Sequence, residues 1–149
     1  MDKGEEDVFI NMFKNICDTI HIDNIIPAFL GVDYEGMVSG LKKCEDTVSE
    51  KLECCPTPFY MLYVLPNGNV VPCCIAHQPI IYGNFHKRKI TEIWNSKIRN
   101  NFLKLHLCHN RGMHPVCKVC EVPDHSVSQE DILDDHTEEL LKKFSFVEK

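Results

Sequence analysis

Apolar positions recur along this chain in three different rhythms. In residues 5–16, EEDVFINMFKNI, Val8, Phe9, Met12, Phe13 and Ile16 fall on one helical stripe, with acids in the first turn where the helix dipole favours anions. Residues 18–23, DTIHID, alternate Ile20 and Ile22 with polar neighbours and predict a short strand. The apolar NIIPAFLGV (24–32) follows, and together these read as the closing helix–strand unit of an α/β layer. Residues 33–53 are polar and carry Gly36 and Gly40, as a linker would.

From Pro56 the texture changes. TPFYMLYVL (57–65) and NVVPCCI (69–75) predict two strands joined by PNGN. With Asn67 and Gly68 central in a two-residue type I′ turn, residue 62 pairs with 73 and residue 64 with 71. One face then carries Tyr60, Leu62, Val64, Val71 and Cys73, the other Met61, Tyr63, Leu65, Val70 and Cys74. Both faces are apolar, so the hairpin is expected to be covered on both sides. IIYGNF (80–85) predicts another extended piece. TEIWNSKIRNNFLKLH (91–106) predicts one helix capped by Thr91, with Ile93, Trp94, Ile98, Phe102 and Leu105 in its apolar sector. Tyr60, Tyr63, Trp94 and Phe102 are assigned to the core. Residues 108–125 are irregular, and SVSQEDILDDHTEELLKKFSF predicts an amphipathic helix capped by Ser126 or Ser128.

The chain has 149 residues, 44% hydrophobic and 26% charged, which is globular composition. A net charge of −6 argues against a nucleic-acid partner, and the basic runs at 86–89 and 97–106 read as solvated faces. Acids open the sequence where a signal peptide would need a basic region, and no apolar run approaches the ~20 residues of a membrane span. A cytoplasmic setting without membrane association is therefore expected. Paired acids such as Asp134-Asp135 and Glu138-Glu139 read as a solvated helix face, so no catalytic residue is assigned.

That setting gives meaning to nine cysteines, at 17, 44, 54, 55, 73, 74, 108, 117 and 120. In a reducing compartment such a pattern indicates metal or catalysis before disulfides. Cys117 and Cys120 form a C-x2-C loop that can present two thiolates to one centre, and the hairpin can supply two more. Successive strand residues point to opposite faces, so of Cys73 and Cys74 one is a ligand and its neighbour a buried small hydrophobe. Cys54 and Cys55 divide in the same way, and spacing does not choose between them. Cys17, Cys44 and Cys108 read as ordinary thiols, with Cys108 nearest the site. A histidine among His77, His106, His109 and His114 could replace one thiolate. Spacing alone suits Zn2+ as well as iron–sulfur. A redox C-x2-C would need a strand before it and a helix after it, which PVCKVCEVP does not offer.

The ordered set Cys-x12-Gly-x4-Cys, YGNF, EIWNS and PVCKVC, over about residues 55–120, resembles the auxiliary cluster domain of radical S-adenosylmethionine enzymes. That domain is termed SPASM with two clusters and Twitch with one. No cysteine follows Cys120, so the resemblance is to the single-cluster form. It implies that Cys55, Cys73, Cys117 and Cys120 hold one [4Fe–4S] cluster, with Cys54, Cys74 and Cys108 as lesser candidates. It also implies an α+β fold, preceded by a helix–strand remnant of a partial (β/α)6 barrel. The expected division is residues 1–36 as the barrel end, 37–53 as linker, 54–125 as cluster domain and 126–149 as C-terminal helix. The C-x3-C-x2-C loop of the reductive core is absent, so the resemblance implies the C-terminal part of such an enzyme. The barrel would be in cis or in trans, the substrate a peptide or small molecule, and the open barrel edge a route to homo-oligomers. The rival reading is a structural four-cysteine zinc module for protein contacts.

Overall fold

The computed structural model describes residues 3–144, apart from 21, 23–25, 27, 30, 35–50 and 76. Mixed helices surround one small antiparallel sheet, an α+β arrangement. The first helix, α1 (Lys3–Phe13), forms where the apolar stripe predicts it, but Met12 and Ile16 on that stripe are 63% and 76% exposed. The expected strand at 18–23 is not formed at its described residues 18, 19, 20 and 22; residues 21 and 23 lie outside the description. Most of the expected linker, 37–53, also lies outside it.

Thr57–Tyr60 forms a helical turn, α2, where a strand is predicted. Two prolines explain this: Pro56 and Pro58 fix φ near the helical value and give up N–H groups that a strand would need. Tyr60 points outward at 64% exposure, and Tyr63 and Val64 of the first strand are nearly half exposed. The assignment of Tyr60 and Tyr63 to the core is therefore wrong, and only the second strand of the hairpin is enclosed.

That hairpin comprises β1 (Tyr63–Val64) and β2 (Asn69–Val71), with Tyr63 opposite Val71 and Val64 opposite Val70. The pairing is one residue away from the expected one because the turn is of a different kind. Gly68 N–H donates to Leu65 O, so Pro66 and Asn67 are the central residues, and Leu65 N–H donates to Asn69 O across a three-residue loop. Gly68 (φ +83°) takes the left-handed position that ends such a loop; Asn67 does not have positive φ. Pro66, with φ set near −65°, selects this turn over type I′. A third strand, β3 (Gly83–Asn84), pairs with β2 and makes it central, so Val70 and Val71 are both fully buried.

The predicted single helix over 91–106 is two, α3 (Ile90–Trp94) and α4 (Lys97–Leu107). Asn95 folds back to donate its side-chain amide to Thr91 O at 2.8 Å, and Ser96 starts afresh by accepting Arg99 N–H at 3.3 Å. Ser96 is thus the cap that counts, and Thr91 lies inside the first turn of α3. The break resets the helical phase: α4 buries Arg99, Phe102, Leu103, His106 and Leu107, while Ile98 is exposed. Arg99 and His106 therefore leave the basic run at 97–106 and enter the core. Arg99 stacks 3.6 Å over the Trp94 ring and donates to the carbonyls of Pro58, Phe59 and Trp94, which anchors α2 against α4. Gly83 lets α3 close on the sheet, since a Cβ there would lie 3.1 Å from Ile93.

Beyond α4 come single 3-10 turns at Arg111–Met113 and Cys117–Val119, and a short helix, α5 (Val122–Ser126). The C-terminal helix is shorter than its amphipathic pattern suggests. Gln129–Asp131 and Asp134–His136 are 3-10 turns, and only Thr137–Lys143 is α-helical, as α6. Tertiary bonds override propensity here. The Asp134 carboxylate accepts the N–H groups of Glu53 (2.8 Å) and Cys54 (3.3 Å), which ties this segment to the start of the cysteine domain.

Candidate metal centre

Cys55, Cys73, Cys117 and Cys120 line one cavity of about 30 Å³, closed elsewhere mainly by Pro58, Ile75, Pro79, Phe102 and Pro123. Three segments deliver the thiols. Cys55 precedes α2, and Cys73 lies in the bend just after β2. Cys117 and Cys120 bracket a 3-10 turn in which Cys120 N–H donates to Cys117 O. That turn has no strand before it and is only three residues long, so it lacks the setting of a redox C-x2-C.

The remaining cysteines lie elsewhere. Cys54 is fully buried, but it faces Asp134 and does not line the cavity. Cys17, Cys74 and Cys108 are exposed, and Cys44 lies outside the described residues. The expectation that the partner of Cys73 is a buried hydrophobe fails for Cys74. The strand ends at Val71, and the bend through 72–74 turns Cys74 to solvent.

Burial holds the four thiols in their neutral form. Burial pushes Cys73 and Cys117 up to about 12, and each is raised further by the other cavity thiolates. Burial raises Cys55 and Cys120 as well, against the lowering effect of Arg111. Four such groups together would keep their protons in neutral solution. Metal coordination removes them, since a bound cation makes the thiolate the favoured form. The donor set therefore fits an iron–sulfur centre. Among the described residues no three His, Cys, Asp or Glu side chains could hold one metal ion together.

Two histidines serve these cysteines through the backbone. His106 Nδ1 accepts the Cys55 N–H at 3.3 Å, and His114 Nδ1 accepts the N–H groups of Val116 (3.3 Å) and Cys117 (3.4 Å). Both rings pack edge-on against Phe102. Burial, with the nearby Arg111 charge, lowers His106 to about 4, and burial also lowers His114, so both stay neutral and able to accept. His77 and His109 are exposed; His109 Nε2 lies 2.9 Å from Thr137 Oγ1, in a contact to α6.

Arg111 is the residue that sequence reasoning missed. It is 2% exposed and donates to Leu52 O and Cys120 O, with its guanidinium 3.6 Å from Asp124. Asp124 in turn accepts Leu52 N–H at 3.1 Å. The one available signal was an arginine six residues before Cys117 in a loop otherwise poor in charge.

Residues 54–121 match the family model of SPASM, described as an iron–sulfur cluster-binding domain. The matched span contains all four cavity cysteines. No curated protein and no solved structure matches the chain. Among the described residues no helix is long and apolar enough to cross a membrane.

Proposed function

We propose, from the SPASM iron–sulfur cluster-binding domain at residues 54–121, that Cys55, Cys73, Cys117 and Cys120 hold one auxiliary [4Fe–4S] cluster. The observation that carries this reading is the convergence of those four thiols, drawn from distant parts of the chain, on one apolar cavity. When bound, such a cluster supplies one-electron redox chemistry. Four protein thiolates leave no iron position open, so the chain's own role is to hold and insulate. Phe102, Ile75 and the three prolines exclude water, and Arg111 offsets part of the thiolate charge.

The module then serves as an electron-transfer or substrate-side support for a radical S-adenosylmethionine barrel, in cis or in trans, acting in the cytoplasm on a peptide or small molecule. The exposed apolar stripe of α1 suits the closing end of such a barrel, or a homo-oligomer contact at its open edge. The family match favours iron–sulfur over the zinc module, since the matching model is that of an iron–sulfur cluster-binding domain.

The test is a pair of substitutions at adjacent positions. Cys73→Ala should lose the charge-transfer absorption of the reconstituted cluster, whereas Cys74→Ala, altering an exposed side chain, should retain it. The reverse result would transfer the ligand role to Cys74 and overturn the assignment.

A further inference from the structure

His106 is 1% exposed, stands on α4 and lines the cavity with the four cysteines. Its Nδ1 accepts a backbone N–H, so that nitrogen carries no proton, and the ring's single proton sits on Nε2. Nε2 is buried and meets no acceptor. Buried donors are almost always paired, and a lone one calls for a partner. The side chains that share the cavity with it are apolar, or the donor-only Arg111, or thiols. The acceptors such a site would offer when loaded are sulfurs.

Two other buried atoms also have no partner, Tyr82 Oη and Arg99 Nε. Neither Tyr82 nor Arg99 lines the cysteine cavity, whereas His106 does.

We propose that His106 is a positioning residue of the metal centre, whose Nε2–H donates a hydrogen bond to a sulfur of the bound cluster and raises its reduction potential. This rests on the cluster assignment above. The sign follows from charge: reduction adds an electron to the sulfur-rich centre, and a donor aimed at sulfur stabilises the reduced form more than the oxidised one. His106 thus does two things with one ring, fixing the Cys55 backbone on one side and the electron affinity of the centre on the other.

The experiment uses the full chain reconstituted without oxygen, with iron and sulfide measured on every sample. His106→Leu removes donor and acceptor, while His106→Gln keeps an acceptor for Cys55 N–H and an N–H of its own. His106→Leu should lower the equilibrium constant for one-electron reduction about tenfold, roughly 59 mV, and His106→Gln should restore most of it. In parallel, wild type carrying 15N-histidine should show hyperfine coupling between the reduced cluster and a histidine nitrogen, and His106→Gln should abolish it. A loaded His106→Leu variant whose potential equals wild type overturns the proposal. If that variant does not load, absence of the 15N coupling in loaded wild type overturns it instead. Wild type containing neither iron nor sulfide removes the cluster assignment itself, a failure distinct from either of these.

Discussion

Replacing Arg111 probes the architecture of the centre without touching a cysteine. Its guanidinium fork bridges the Leu52 and Cys120 carbonyls, and its charge faces Asp124 at 3.6 Å, with side-chain exposures of 3% and 16%. Arg111→Ala breaks a buried pair and strands two carbonyls. Removing one partner of a buried ion pair costs about 3–5 kcal/mol, and the residual exposure of Asp124 places this case near 3. Arg111→Lys keeps a charge opposite Asp124, but a single ammonium cannot reproduce the fork, so about 1.5–3 kcal/mol should be lost. Trp94, the sole tryptophan, is stacked by Arg99 and reports unfolding by fluorescence. With a urea slope of roughly 2 kcal/mol per molar, Arg111→Ala should move the midpoint down by about 1.5 M, and Arg111→Lys by about 0.75–1.5 M. Arg111→Ala should also release iron faster, because Cys120 loses its carbonyl anchor. A midpoint for Arg111→Ala indistinguishable from wild type would refute the clamp.

Two further substitutions examine the supports around the site. At Gly68 (φ +83°) a Cβ would fall 2.3 Å from His86 Cδ2, so Gly68→Ala combines left-handed strain of roughly 1–2 kcal/mol with a clash; its melting temperature should drop by several degrees, and an unchanged one would contradict the three-residue turn. Asp134→Ala leaves the Glu53 and Cys54 N–H groups without their acceptor, for an expected loss of about 1–3 kcal/mol. Hydrogen exchange at Cys54 should accelerate in that variant, and protection equal to wild type would show that the C-terminal segment does not brace the cysteine pair.

Local spacing marked Cys117 and Cys120 as a pair but left Cys54 against Cys55 and Cys73 against Cys74 open; the family resemblance implied positions 55, 73, 117 and 120, and these four line one cavity. The elements that carry them were less legible. The hairpin register slipped by one because Pro66 changes the turn, a choice that Asn67-Gly68 alone conceals. Asn95 and Ser96 break a helix whose hydrophobic pattern runs straight through them, so Leu103 and Leu107 were missed as core. Pro56 and Pro58 turn an apolar run into a helical turn. In the C-terminal segment, acids that look like a helix face are drawn off to backbone donors about 80 residues away, as Asp134 is. Arg111, His106 and His114 act through long-range bonds to backbone groups, which leave no periodic trace. The strand at 18–23 had only two isoleucines to support it, and its described residues form none.

The most direct measurement is iron, acid-labile sulfide and zinc per chain, on protein purified and reconstituted without oxygen. About four irons and four sulfides per chain are expected, the content of one cubane, with the count falling in Cys55→Ala, Cys73→Ala, Cys117→Ala and Cys120→Ala. One zinc per chain without sulfide, persisting after reconstitution, would contradict the cluster assignment and return the four thiols to a structural role.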